Sequence, residues 1–216
     1  MTSHKFLVSI TVVLLVLIVP AISHGATVTN LNDSGPGSLR QAIIDSPDGD
    51  IDFEVTGTIT LLTVLPITTN LNIAGPGADL LTISGDNTTR IFNIDDGISD
   101  NDANIIISRV TLTMGVAPEN QVGGAILNKE SLLVEDSKIT NNSTGAIAND
   151  DGFLQVSKTE ISGNSNDFGG AGICSFAGNL TVTQSLFVDN TSISDGGGLS
   201  IFNSGGMNKV INTTFN

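Results

Sequence analysis

From Asn104 to Asn216 the chain repeats itself, and an internal repeat constrains a fold more tightly than any other single sequence feature. The frame is Leu or Ile, a Val or Ile two residues on, another apolar residue five later, and Asn or Gly three beyond that. Ile105, Ile107, Leu112 and Gly115 fit it. So do Leu132, Val134, Ile139 and Asn142, then Leu154, Val156, Ile161 and Asn164, then Leu180, Val182, Phe187 and Asn190. Val210 and Phe215 open one more copy. The second position falls at 107, 134, 156, 182 and 210, giving steps of 27, 22, 26 and 28 residues. Between copies stand glycine knots that lead into a small apolar strand: Gly123-Gly124-Ala125-Ile126, Gly145-Ala146-Ile147, Gly169-Gly170-Ala171-Gly172-Ile173 and Gly196-Gly197-Gly198-Leu199.

Each copy holds short alternating segments of strand composition separated by Gly, Asn, Asp and Ser. None carries an apolar run of helical period long enough for a helix. About 24 residues at roughly 3.3 Å each make a loop near ~80 Å round, room for three short strands and their corners. Strands that recur at one offset without two-residue hairpin loops must pair in parallel. Stacking at the roughly 4.8 Å strand spacing then sets like residue over like. Val134, Val156, Val182 and Val210 form one interior column. Asn142, Asn164 and Asn190 form another at a corner, because Asn tolerates left-handed backbone and its amide hydrogen-bonds along a stack. Glycines, Gly124, Gly145, Gly170 and Gly197 among them, supply positive φ where the chain bends. The expectation is an all-β solenoid, a parallel β-helix. Leucine-rich repeats share the period but require an L-x-x-L-x-L-x-x-N frame of steady length, and propeller repeats are longer and lean on a Trp-Asp signature; this chain has no Trp.

Ahead of the repeats, residues 1–25 read as a secretory signal: Lys5 in a basic start, an apolar core from Phe6 to Val19, Pro20 as a break, and Ser23-His24-Gly25 before Ala26. The core is shorter than the roughly 20 residues of a membrane span. Residues 26–50 read as a cap. Thr27-Val28-Thr29 is strand-like, and Ser38 with Gln41 three residues on makes a capping box for a short helix over 39–45. Leu39, Ala42 and Ile43 share one face of that helix, and two turns cannot persist alone in water. Its apolar face is therefore expected to close an open solenoid end.

Here the chain resembles a known group. Val28-Thr29-Asn30 and Asp33-Ser34-Gly35-Pro36-Gly37-Ser38-Leu39-Arg40-Gln41-Ala42-Ile43 are similar to the opening of bacterial exported β-helix proteins of the polymorphic outer-membrane protein and CSLREA-type group. Gly57-Thr58-Ile59-Thr60-Leu61, the Gly75-Pro76-Gly77 turn, Leu80-Leu81-Thr82-Ile83-Ser84-Gly85 and Arg90-Ile91-Phe92 continue the likeness, which covers nearly the whole mature chain. In place of the literal Cys-Ser-Leu-Arg-Glu-Ala string stands Gly37-Ser38-Leu39-Arg40-Gln41-Ala42. The resemblance implies a right-handed parallel β-helix, secreted or on the cell surface or outer membrane of a bacterium, with adhesion suggested for some members. It implies no catalytic residue.

Residues 51–102 read as the same coils in looser register. Phe53, Ile73 and Ile94 are spaced by 20 and 21 residues, and Leu61 and Ile83 by 22. About seven coils follow, a rod of roughly 35 Å at the strand spacing. The last residues, Thr214-Phe215-Asn216, fall inside a copy with no second cap. Unpaired strand edges invite another chain, so further coils or a domain are expected beyond Asn216.

Composition excludes much chemistry. Both histidines, His4 and His24, lie within the signal, so the mature chain has no His general base, no Ser-His-Asp site and no His-ligated metal. There is no Trp or Tyr to stack on sugars or bases. The net charge of −14 becomes −15 without Lys5 (7 basic against 22 acidic residues), which argues against nucleic acid and against an anionic membrane surface. Acidic residues crowd one loop, Asp95, Asp96, Asp100 and Asp102, where oxygen ligands for Ca²⁺ are at hand, although the order is not that of a known calcium loop and acidic turns are commonly just solvated. No other cofactor is expected.

A glycosidase needs two carboxylates about 5–9 Å apart. Glu135 falls level with Ser157 and Thr183, and Asp136 level with Lys158 and Gln184, so no column of acids forms there. A β-helical polysaccharide lyase, a likeness at the level of fold, would need a basic residue from Arg109, Lys138, Lys158 or Lys209, and these do not align into a patch. Cys174, the lone cysteine, reads as a small buried hydrophobe. The leading expectation is an exported scaffold or adhesin-like module that presents its surface to an extracellular protein or polysaccharide. A polysaccharide lyase or hydrolase built on the acidic loops is the rival.

Overall fold

The structure, a computed structural model, describes residues 25–98, 101–202 and 206–216. Residues 1–24 of the expected signal and Asp100 of the acidic loop lie outside the described residues. The chain winds as a right-handed parallel β-helix with three faces. Among the described residues the first sheet has eight strands: Ala26–Val28, Gly49–Phe53, Leu71–Ala74, Asn104–Ser108, Ser131–Glu135, Phe153–Ser157, Asn179–Thr183 and Asn208–Ile211. The second has seven, running from Gly57–Thr60 through Leu81–Ser84, Thr111–Thr113, Lys138–Thr140, Glu160–Ser162 and Leu186–Val188 to Thr214–Phe215. The third has six: Leu65–Ile67, Phe92–Ile94, Ile126–Asn128, Ile147–Asn149, Ile173–Ser175 and Leu199–Ile201. Each turn visits the three faces in order, and about seven turns stack.

Alternation explains the core. Along every strand one residue in two points inward, and on the first face Ile107, Val134, Val156 and Val182 lie directly over one another, all fully buried. Burying each such side chain contributes about 1.5–3 kcal/mol. Val210 keeps the register opposite Val182 but is 44% exposed, because no described coil stacks on it. On the second face Ile59, Ile83, Leu112, Ile139, Ile161, Phe187 and Phe215 line up, the last two as stacked rings 4.6 Å apart.

The asparagine column is a hydrogen-bonded ladder. The Asn142 amide nitrogen donates to Asn164 Oδ1 at 2.9 Å, and Asn164 donates to Asn190 Oδ1 at 2.9 Å. Each oxygen also accepts a backbone N–H: Gly115 on Asn142 at 2.7 Å, Asn142 on Asn164 at 2.9 Å and Asn164 on Asn190 at 3.1 Å. Amides suit the place because they satisfy backbone groups that a buried corner would otherwise strand. The expected backbone assignment needs correction, since the left-handed residue is the one before each ladder position: Met114, Asn141, Gly163 and Asp189. The glycine expectation is corrected in part. Gly145 has φ +85°, whereas Gly124, Gly170 and Gly197 serve close approach, since a Cβ there would meet the carbonyls of Ser143, Ile173 and Asn190.

The N-terminal coils follow another register than their spacing suggests. Ile51, not Phe53, pairs with Ile73, and Ile59, not Leu61, pairs with Ile83; Ile94 belongs to the third sheet beside Ile67. The step from Ile73 to Ile107 is 34 residues because a loop from Asp95 to Ala103 is inserted between the third and first faces. At the start, the helix Leu39–Asp45 buries Leu39 and Ala42 against the core. Ser38 Oγ accepts from Gln41 N, but the Gln41 side chain turns to Asp45, so only half the capping box forms. Arg40, held within the cap by Asp33 Oδ1 at 2.8 Å, ties it to the next turn through Val64 O at 2.8 Å and Thr63 O at 2.6 Å.

Candidate ligand groove on the third face

The outward row of the third sheet is Pro66, Asn93, Leu127, Ala148, Cys174 and Ser200. Outward residues of a solenoid are ordinarily wet, yet Ala148, Cys174 and Ser200 are buried. Loops rise beside this face and leave a groove of about 690 Å³ over Asn93, Leu127 and Ala148. Arg90, Asn120, Gln121, Val122 and Phe168 line it together with Lys129, Asp150 and Phe176. Phe176 is held in turn by Phe202, their rings stacked at 5.7 Å.

Arg90 builds one wall. Its guanidinium donates to Gly123 O (3.0 Å), Val122 O (3.0 Å), Gln121 Oε1 (2.9 Å) and Asn93 Oδ1 (3.4 Å), which pins the loop before the glycine knot against the sheet. Only 5% of Arg90 is exposed and every one of these acceptors is neutral, so burial lowers its pKa to about 10. The bridge from Val116 to Ser143 and the bond from Ala117 N to Thr144 Oγ1 hold the same loop against the next coil, and a second bridge, Ser143 to Ser165, continues the stack. The lining therefore offers amides, two cations, two phenyl rings and a single carboxylate, Asp150, among the described residues. Such a surface can hold hydroxyl-bearing or extended chains, since amides both donate and accept and phenyl faces supply apolar contact.

The acidic loop lies alongside. Asp95 and Asp96 come together with Glu130 from the coil above, one carboxylate oxygen of each within 4.8 Å of the others. Asp102 is not one of these three clustered carboxylates, although it lines one hollow with Asp96, Asp48 and Asn70. Glu130 is fully buried, and burial followed by the charge of Asp96 raises its pKa. Lys129 Nζ stands 3.1 Å from Asp95 Oδ2.

The basic residues weighed for a lyase are scattered. Lys138 pairs with Asp79 at 2.6 Å and lies level with Glu160, while Arg109 and Lys158 are two of the left-handed corner residues, with Asp136, Gln184 and Asn212. Glu135 is level with Ser157 and Thr183. Cys174 is buried beneath the loops, and burial, with Asp195 nearby, pushes its thiol up to about 11.

Sequence reasoning passed over Arg90, Lys129 and the groove, because the loops that make its walls carry no repeat. It also passed over a second buried ladder, Asn128 to Asn149 Oδ1 at 2.8 Å and Asn149 to Ser175 Oγ at 3.2 Å. Its signal was legible: Ile126-Leu127-Asn128, Ile147-Ala148-Asn149 and Ile173-Cys174-Ser175 each place a polar residue at the same inward position.

Compared with known proteins, the chain finds no match among curated sequences. A family model described as a right-handed β-helix region matches residues 66–215, the greater part of the chain and all of the coils that build the groove. With the three parallel faces, the stacked interior columns and that match in agreement, the chain belongs to the right-handed β-helix family.

Proposed function

We propose that the protein is an exported, adhesin-like β-helical scaffold whose third-face groove binds an extended glycan without turning it over. The observation that carries this reading is the composition of the groove: two phenyl rings, three side-chain amides and two cations around about 690 Å³, with one carboxylate. The apparent signal at residues 1–25 and the likeness to the polymorphic outer-membrane and CSLREA-type group support a place outside a bacterial cell. The strong acidity supports a soluble exported chain rather than one that binds nucleic acid.

The test is binding of a panel of neutral and uronate-bearing glycans to the wild type and to Phe176→Ala and Gln121→Ala, with product release measured alongside, with and without calcium. Saturable retention that falls about tenfold in these variants, with no product formed, is the expected result. A panel in which no glycan is retained overturns it. Product formation abolished by Asp150→Asn would instead establish a polysaccharide lyase or hydrolase, the reading favoured only by the nearness of Asp95 and Asp96 to the groove.

A further inference from the structure

A fully buried carboxylate needs a proton, a cation or several hydrogen bonds. Glu130 has little of this. Its Oε1 accepts the backbone N–H of Asp96 at 3.2 Å, while Oε2 is buried with no hydrogen-bond partner. The nearest chemistry it faces is two further carboxylates, Asp95 and Asp96, rather than a positive charge. Lys129 lies at the edge of the group, bound to Asp95, and is about two-fifths exposed. With all three carboxylates ionised, the one ammonium beside them leaves the group an excess of negative charge. Geometry makes the arrangement deliberate: Glu130 rises from the turn between the third and first faces of one coil, and Asp95 and Asp96 open the inserted loop at the same turn of the coil below.

We infer that Asp95, Asp96 and Glu130 form a calcium site that fastens the inserted loop to the next coil. The chemistry selects the ion. Hard oxygen ligands exclude the softer transition metals, and an irregular set of carboxylates with freedom to bind through one or two oxygens suits calcium, which accepts six to eight ligands at 2.3–2.6 Å. Magnesium demands near-octahedral geometry and gives up its waters reluctantly. Calcium at this point neutralises the residual charge and supplies the partner that Oε2 lacks. None of the three carboxylates lines the glycan groove, which shares Lys129 and Asp150 with the hollow at Asp95, so calcium binding is tested independently of what the groove binds.

The experiment is calorimetric titration of the full chain, stripped with EDTA, with calcium chloride and in parallel with magnesium chloride, together with thermal unfolding at each ion concentration. Expected are one calcium per chain with a dissociation constant of about 10⁻⁴–10⁻³ M, the range of extracellular modules, a Tm that climbs with calcium concentration, and binding about tenfold weaker or worse in both Glu130→Gln and Asp96→Asn. Absence of both heat and Tm shift overturns the site, and so does calcium affinity left unchanged by the two substitutions. Should Glu130→Gln fail to fold, the half-exposed Asp96→Asn decides on the same criteria.

Discussion

The two halves of the helix fill the same interior position with opposite chemistry. On the third face Ile67 and Ile94 occupy it in the N-terminal coils, and Asn128, Asn149 and Ser175 occupy it in the coils above. All of them are buried. The aliphatic half tolerates a coil of 22 residues followed by one of 34 and closes on a helix, with Leu31, Ile43 and Phe53 packed against the core from outside the columns. The amide half keeps one frame through every coil. Aliphatic contact is non-directional and forgives a shifted neighbour, whereas an amide ladder is satisfied only when each rung lies directly over the last. Polar groups in the interior thus set the registration, and apolar groups supply the bulk of the stability.

The largest test of that contrast is Asn164→Ala. It removes the acceptor of the Asn142 backbone N–H and the ladder acceptor of the Asn142 amide, which keeps Leu112 O and Thr140 O. It also takes the amide donor from Ile139 O and from Asn190 Oδ1, which keeps only the Asn164 backbone N–H. Urea unfolding should show a loss of about 3–4 kcal/mol. The apolar counterpart, Ile94→Val, should cost only about 1 kcal/mol, and equal losses for the two would break the comparison. Next in size is Leu39→Ala, which uncovers the first coil and should cost about 3 kcal/mol by the same measurement; a loss below about 1 kcal/mol would mean that the helix does not close the stack.

The smallest effect is a pH dependence set by two carboxyls, Asp33 in the cap and Glu130 in a middle coil. Burial alone would raise the Asp33 carboxyl, but the Arg40 guanidinium and the Leu62 N–H overcome it and hold its pKa below the usual value. Its contribution is therefore present above the unfolded-state value and lost as pH falls through the folded one. Glu130, held above its usual value, acts in the opposite sense: its contribution is complete at acid pH and lost as pH rises through its folded pKa. In calcium-free buffer, Asp33→Asn should flatten the acid limb of the stability profile, and Glu130→Gln should remove the decline on its alkaline side. Unfolding curves collected across pH 3–7 in roughly unit steps, spanning the usual carboxylate range, would show an unaltered profile if either assignment fails.

How much of this was legible in the sequence follows the same division. Val134, Val156, Val182 and the column Asn142, Asn164, Asn190 could be read directly, because each copy keeps the same eight-residue step from valine to asparagine even though the steps between copies vary. Phe53 and Leu61 misled, since aliphatic and aromatic residues at neighbouring positions of the first coils are interchangeable to a spacing argument, and only hydrogen-bond register tells Ile51 from Phe53. The acidic cluster was half legible. Asp95 and Asp96 are adjacent in sequence, but Glu130 reaches them only because the coils stack, while Asp102 comes no nearer than the far side of a hollow it shares with Asp96. Arg90 gave no pattern at all; a single cation before Ile91-Phe92 acquires its meaning from carbonyls more than thirty residues away.

In the three main sheets the strands lie across the rod, and the ladder bonds point along it from one coil to the next. Tension applied end to end therefore loads every bond between two neighbouring coils at the same moment, so rupture requires a whole layer to let go. Sideways prying at a terminus loads them one after another. A body wound in this way is strong as a tether under a straight pull and weak to peeling, a mechanical asymmetry set by winding direction rather than by any individual side chain.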